Sequence, residues 1–124
     1  MRLDRLWRIS YTSKMKETIT IDDFAKLDIR LGTILEAERV PETDRLIKCS
    51  VDVGEGEPRT IVSGIAHIRD PENLVGKQVP YILNLEPRTI KGVESNGMLL
   101  ALGEGEAFAL LHPDKAVPAG TAGK

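Results

Sequence analysis

The chain has 124 residues, 41% hydrophobic and 29% charged, with a formal net charge of −2. This length suits one globular domain, and no apolar run approaches the roughly 20 residues that span a bilayer, so no membrane partner is expected. A mildly acidic chain excludes a uniformly basic nucleic-acid binder, so contact with a polyphosphate backbone would require a local basic face.

The single cysteine, Cys49, excludes an intramolecular disulfide and a multi-cysteine metal site. It lies in the apolar phase of an alternating segment, so we predict a small core residue there. The start of the chain lacks the apolar segment of a secretory signal. A cytoplasmic protein is therefore expected.

The N-terminal residues 1–17 are basic and have no hydrophobic period, which predicts a weakly ordered extension before a folded domain over residues 18–124. Thr20 or Asp22 is expected to cap one short helical turn. These features predict that regular structure begins near residue 20.

Alternation of apolar and polar residues predicts two consecutive strands. In residues 29–37 the alternation places Leu35 in the apolar phase, although the second face is not purely polar. Residues 47–53 alternate cleanly and end in a Gly- and Pro-containing turn.

The remaining segments predict three or four more strands and one short helix. Pro71 begins the helix, and Pro80 places the fourth strand at an edge or a bulge. The predicted ranges are 59–64, 70–75 (helix), 78–85, 95–102 and 107–111. This pattern favours an all-β fold, a partly closed five-stranded Greek-key barrel of the OB-fold type, with a mixed or sandwich-like arrangement as the alternative.

Common catalytic and metal-binding spacings are missing from the sequence. His67 and His112 lie outside histidine metal motifs, and Ser63 lies outside a G-x-S-x-G elbow. The glycines of the predicted turns are followed by Glu, and an acidic loop repels phosphate. We therefore expect a protein that is not an enzyme and that uses neither a metal nor a cofactor.

The segment from Asn84 to Met98 carries the functional signal. Arg88 and Lys91 lie on the connection after the fourth strand, with Gly92 predicted to take an unusual backbone angle. Both cations suit phosphate binding. The alternative is that they are solvated loop charges.

Polar and soft side chains of the same segment are typical of RNA contacts. Asn84, Ser95 and Asn96 offer groups for base edges or 2′-hydroxyls, and Met98 can contact an unstacked base. The alternative prediction for Met98 is a side chain packed in the core. The chain has only five aromatic residues, so an aromatic stacking platform is not indicated.

This segment also resembles a known family. The patterns N-L-x-P-R from Asn84 and K-G-x-x-S-x-G-M from Lys91 are similar to the tRNA-binding domain shared by methionyl-tRNA synthetase, its free-standing beta subunit, Arc1p and EMAP II. The secretion chaperone CsaA resembles the chain more distantly. Further matching segments lie at 22–32, 61–65, 74–77 and 113–115, and the resemblance extends from about residue 21 to residue 120.

The resemblance implies an OB-fold and recognition of tRNA by shape. It also implies a homodimer whose interface is built by an extension after about residue 103, and a partnership with a methionyl-tRNA synthetase catalytic subunit. Glu86 stands where the family usually has a basic residue, which weakens the phosphate field. The resemblance implies that Asn84, Arg88, Lys91, Ser95 and Met98 face the RNA. With Arg30, Lys48 and Asn96 added, these residues form the predicted RNA-binding set.

Two other functions remain open at this point. One is a CsaA-like, peptide-binding export chaperone, for which an apolar groove at the dimer interface would be the distinguishing feature. The other is a scaffold subunit of a protein complex, which the acidic net charge allows.

Overall fold

The computed structural model describes residues 14–124, and regular structure in this range begins with a one-turn α-helix at Ile21–Phe24. Thr20 caps it, since its Oγ1 accepts a hydrogen bond from the Asp23 N–H at 3.1 Å, which confirms one of the two predicted caps. Two 3₁₀ turns lie at Pro71–Asn73 and Gly105–Ala107. The strands of the described residues are β1 Ile29–Arg39, β2 Ile47–Asp52, β3 Arg59–Ser63, β4 Gln78–Ile82, β5 Arg88–Ile90, β6 Val93–Ser95, β7 Met98–Leu99, β8 Ala101–Leu102 and β9 Ala109–Leu110.

Five strands form one antiparallel sheet in the order β3-β2-β1-β4-β7, while β5 pairs with β6 and β8 with β9. The sheet closes on itself between β3 and the β6–β7 segment. There the Asn96 N–H donates to the Thr60 carbonyl at 2.8 Å, and the Val62 N–H donates to Ser95 Oγ at 2.9 Å. The result is a nearly closed five-stranded antiparallel barrel, which confirms the OB-fold.

Strand β2 lies between β1 and β3 in the barrel wall and has the predicted alternation. Ile47, Cys49 and Val51 are buried, whereas the residues between them are only partly buried. These side chains join a single core with residues of every neighbouring strand. The largest fully buried side chains are those of Tyr81, Ile47, Ile61, Leu74, Val51, Val53 and Val79.

The prediction for β1 is wrong at Leu35, whose side chain is 44% exposed. The register of β1 against β2 shifts between Ile34 and Glu36, so Leu35 is the extra residue of a β-bulge. Because side chains alternate with a period of two, one inserted residue exchanges the inward and outward faces. Ile34 therefore faces the core before the bulge, and Ala37 packs against the core after it.

Strand β4 is not an edge strand, contrary to the prediction from Pro80, because it lies between β1 and β7. Its register against β1 is unbroken from Ile82 to Gln78, so Pro80 forms no bulge there. The Pro80 carbonyl accepts a hydrogen bond from the Leu100 N–H at 3.0 Å, on the β7 side. The missing N–H of the proline faces the same side, where the short β4–β7 ladder ends.

The segment predicted as one strand over 95–102 is divided into β6, β7 and β8. Gly97 separates the first two with a φ of 138°. A Cβ at this position would lie 3.0 Å from Ile61 Cδ1, so a side chain would be tight against the core as well as strained by the positive φ. The predicted helix over 70–75 is likewise shorter, a single 3₁₀ turn.

The C-terminal residues return to β1 and extend the sheet. The Leu31 N–H donates to the Thr121 carbonyl at 2.9 Å, and the Gly123 N–H donates to the Ile29 carbonyl at 2.6 Å. Gln78 Nε2 also donates to the Val117 carbonyl at 2.7 Å. The segment after residue 103 thus packs on the domain, while its role in a dimer stays a prediction.

The predicted extension over residues 1–17 lies mostly outside the described residues, and residues 14–20 have no regular secondary structure. Over residues 14–124, no helix has the length and apolar character needed to cross a membrane.

The predicted core position of Cys49 is confirmed, because its side chain is 4% exposed. Burial raises the pKa of the thiol to about 11. At pH 8 only roughly one thiol in a thousand would then be a thiolate, the reactive form. We expect Ellman's reagent to modify the native protein very slowly and the denatured protein rapidly; equal rates in both states would contradict this burial.

Candidate functional site

The segment between β4 and β7 contains the β5–β6 hairpin. Its register pairs Arg88 with Ser95 and Ile90 with Val93, which leaves Lys91 and Gly92 as a two-residue turn. Their φ angles are 50° and 80°, both in the left-handed region that a type I′ turn requires. The unusual angle predicted at Gly92 is confirmed, and the turn places Lys91 at the hairpin tip.

The two cations of the hairpin face solvent. Arg88 and Lys91 are both exposed, and neither makes an ion pair with another residue of the described range. Glu86 is exposed just before β5, and Glu94 is exposed on β6 of the hairpin itself, so the positive charge is local to the Arg88 and Lys91 side chains. Within residues 14–124, the hairpin therefore offers two unneutralised charges to an anionic partner.

Arg30 and Lys48 differ from the hairpin cations because both are already paired. Arg30 Nε donates to Asp28 Oδ1 at 2.8 Å, and its Nη1 donates to the Gly120 carbonyl at 3.2 Å. Lys48 Nζ lies 3.1 Å from Glu38 Oε1. Such half-exposed pairs are weak, but each partly cancels the charge that would attract phosphate.

Asn84 follows the end of β4 and braces the linker between the N-terminal helix and β1. Its Oδ1 accepts a hydrogen bond from the Asp28 N–H at 2.8 Å, and its Nδ2 donates to the Lys26 carbonyl at 2.6 Å. The amide is thus already bonded to the backbone. A direct contact of Asn84 with RNA stays a prediction.

Ser95 lies in the barrel seam, with an exposure of 4%. Its Oγ accepts a hydrogen bond from the Val62 N–H at 2.9 Å and donates to the Gly97 carbonyl at 3.3 Å. This side chain therefore joins β3 to the β6–β7 segment. Met98, by contrast, is 42% exposed on β7, where a ligand can reach it.

Replacing Ser95 with alanine is expected to lower the free energy of unfolding by about 2 kcal/mol, because the buried Val62 N–H loses its acceptor. Urea denaturation measures this change. Ser50→Ala is the matched control, since Ser50 is partly exposed on β2. A loss of tRNA affinity at unchanged stability would instead indicate that Ser95 contacts RNA.

Arg59, the first residue of β3, is a site residue that the sequence analysis missed. Its Nε and Nη2 donate to the two carboxylate oxygens of Glu55 at 2.8 and 2.9 Å. Its Nη1 donates to the carbonyls of Leu83 at 2.8 Å and Asn96 at 3.3 Å. The guanidinium therefore ties β3 to both ends of the segment that contains the hairpin.

The E-x-x-x-R spacing of Glu55 and Arg59 was the available signal, but it identifies at most the ion pair. The hydrogen bonds from Arg59 lower the pKa of the Glu55 carboxyl. The two carbonyl contacts depend on how distant segments meet, which spacing does not reveal.

An open cleft of about 550 Å³ lies beside this cluster. It adjoins the hairpin, because Asn96 in its wall follows Ser95, the cross-strand partner of Arg88. The lining residues are Glu55, Glu57, Pro58, Arg59, Leu83 and Asn96.

The family model described as "Putative tRNA binding domain" matches residues 29–122, which include the barrel, the hairpin and the C-terminal return. This chain belongs to that tRNA-binding domain family. The resemblance noted in the sequence is thereby confirmed, and Arg88 and Lys91 are the exposed cations of the domain's hairpin.

Relatives of this tRNA-binding domain include larger and smaller proteins. A methionine–tRNA ligase of Methanothrix thermoacetophila is 53% identical over 107 residues, which are 86% of this chain and 16% of that protein. The chain thus spans less than a fifth of the length of the ligase relatives that it matches.

Two solved structures share the fold over nearly their whole length. A MetRS-related protein of Pyrococcus horikoshii has a TM-score of 0.81 and 39% identity, and the match covers 88% of this chain and 100% of that one. The chaperone CsaA of Bacillus anthracis has a TM-score of 0.78 and 28% identity over 87% and 100% of the two chains. The tRNA-binding domain is therefore similar both to a MetRS-related protein and to a CsaA chaperone, the two kinds of relative that the sequence resembles.

Proposed function

We propose that this domain binds tRNA by shape, without chemistry on it, and retains it near an aminoacyl-tRNA synthetase, with methionyl-tRNA synthetase as the expected partner. The observation that carries the proposal is that Arg88 and Lys91 are exposed and make no ion pair within the described residues, on the β5–β6 hairpin of a domain from a tRNA-binding family. Tethering of this kind raises the effective concentration of tRNA at the enzyme.

The proposal includes a cytoplasmic homodimer. The interface expected from the sequence lies in the segment after about residue 103, and Leu102 beside it is 54% exposed, an apolar side chain that a second copy would cover. A dimer would present two hairpins on one particle. Light scattering after size-exclusion chromatography would measure its mass.

A filter-binding assay at physiological salt tests the main proposal. Total tRNA, single-stranded RNA of matched length and duplex DNA would compete for the protein, and tRNA is expected to bind most tightly. Equal affinity for all three would contradict recognition of tRNA shape.

The similarity to CsaA supports a second candidate, a peptide-binding chaperone. Binding of unfolded polypeptide, with no preference for tRNA, would favour that function. Binding of neither ligand would favour a scaffold role.

A further inference from the structure

We propose that the cleft beside Arg59 receives one unstacked guanine base of the bound RNA, with Glu57 and Asn96 reading its Watson–Crick edge and Arg59 stacking on its face. This inference rests on the proposed function and adds a base-specific pocket to it. No residue of the cleft other than Asn96 belongs to the RNA-binding set predicted from the sequence.

The charges around the cleft favour phosphate on the hairpin and an uncharged base inside the cleft. Glu57 is an exposed carboxylate in the wall and repels phosphate, whereas Arg88 and Lys91 on the adjoining hairpin attract it. Ser95, paired with Arg88, precedes Asn96 in the cleft wall. An RNA backbone held on the hairpin would therefore pass beside the cleft with its bases able to turn inward.

Two side chains of the cleft are available to a ligand. Within the described range, the Glu57 carboxylate makes no hydrogen bond. The Asn96 side-chain amide makes none either, since Asn96 bonds to Thr60 and Arg59 through its main-chain groups. The Glu55 carboxylate, by contrast, is fully engaged by Arg59. Glu57 thus provides a free acceptor, and Asn96 provides both a donor and an acceptor.

The chemistry of a free carboxylate selects guanine among the four bases. Guanine has two adjacent donors on its Watson–Crick edge, N1–H and the N2 amino group, which match the two acceptor oxygens of Glu57. The edges of adenine, cytosine and uracil each place an acceptor beside their donor, and a carboxylate repels that acceptor. The amide of Asn96 can donate to the guanine O6 group.

Arg59 provides the stacking surface in this cleft, since none of the described residues that line it is aromatic. Tyr81 is buried in the core, and the Phe108 ring lies under the Arg69 guanidinium at 5.1 Å. Four hydrogen bonds fix the plane of the Arg59 guanidinium. Bases in RNA complexes stack on arginine planes as well as on aromatic rings, and a plane already fixed loses little entropy on binding.

The sign of the effect of Glu57→Gln on total-tRNA affinity tests the proposal. If Glu57 only repels RNA, removing its charge strengthens binding; if it reads a base, the substitution weakens binding. We expect affinity to fall about tenfold, with the salt dependence unchanged because no phosphate contact is lost. Glu86→Gln is the matched control, and we expect it to bind tRNA slightly more tightly.

A second measurement identifies the base. Wild-type protein is expected to bind a uridine pentanucleotide with a central guanosine about tenfold more tightly than one with central inosine, which lacks the N2 amino group, and Glu57→Gln should abolish this preference. If wild-type protein binds tRNA while Glu57→Gln binds as tightly or more tightly, the pocket is overturned and the proposed function stands. If wild-type protein binds no tRNA, both are overturned.

Discussion

Removing the charge of Arg88 or of Lys91 is expected to weaken tRNA binding about tenfold for each residue and to lower the salt slope by about one unit. Both side chains are exposed and lack an ion-pair partner among residues 14–124, so phosphate can contact either charge directly. Arg30 and Lys48 face Asp28 and Glu38, and substitutions there should have smaller effects.

The substitution at Lys91 must remove the charge without straining the turn, so that a change in tRNA affinity can be attributed to the charge. Lys91 has a φ of 50°, which asparagine tolerates better than alanine does, so Lys91→Asn removes the charge and keeps the turn. Lys91→Arg keeps the charge and should bind tRNA about as tightly as the wild-type protein. Lys26→Ala, which removes an exposed cation paired with Asp23, is the control; equal losses in the hairpin and control variants would contradict the assignment.

Replacing Gly32 with alanine is expected to lower the free energy of unfolding by about 3 kcal/mol. A Cβ at this position would lie 2.5 Å from Val51 Cγ1 and 2.8 Å from Tyr81 Cδ2, both in side chains of the core. Neither neighbour has room to move, since Val51 is completely buried and Tyr81 is 2% exposed. Urea denaturation would measure the loss.

Gly64→Ala is the matched control for Gly32. No atom lies within 4 Å of a Cβ built at Gly64, and its φ lies outside the left-handed region, so this variant should be neutral or slightly stabilised. A similar loss in both variants would show that the glycine backbone, and not close packing between β1, β2 and β4, determines the effect.

Local patterns in the sequence were sufficient for strand β2 and for the backbone angle at Gly92, whereas the β5–β6 hairpin was predicted only as a connection between strands. The alternation in residues 47–53 predicted β2 and the burial of Cys49, because one side of a strand faces the core at every second residue. Gly92 predicted a positive φ, because few other residues adopt it readily. The family patterns in residues 84–98 directed attention to the segment that forms the hairpin.

The bulge at Leu35 shows where such local patterns fail. Leu35 is an extra residue only because of how β1 pairs with β2. The apolar residues of β1 would allow either of its two faces to be the buried one. The position of β4 inside the sheet likewise depends on β7, which pairs with it through only two residues.

The sequence by itself determined the periodicity of β2, the acidic net charge with its local cations, and the resemblance to the family. Only the tertiary structure decided that Ser95 closes the barrel, that Asn84 braces the start of β1, and that Arg59 holds the base of the hairpin. These hydrogen bonds join residues 33, 56 and 24 positions apart. A side chain's donors and acceptors are known from its type, but its partners are known only when the folded chain brings distant segments together.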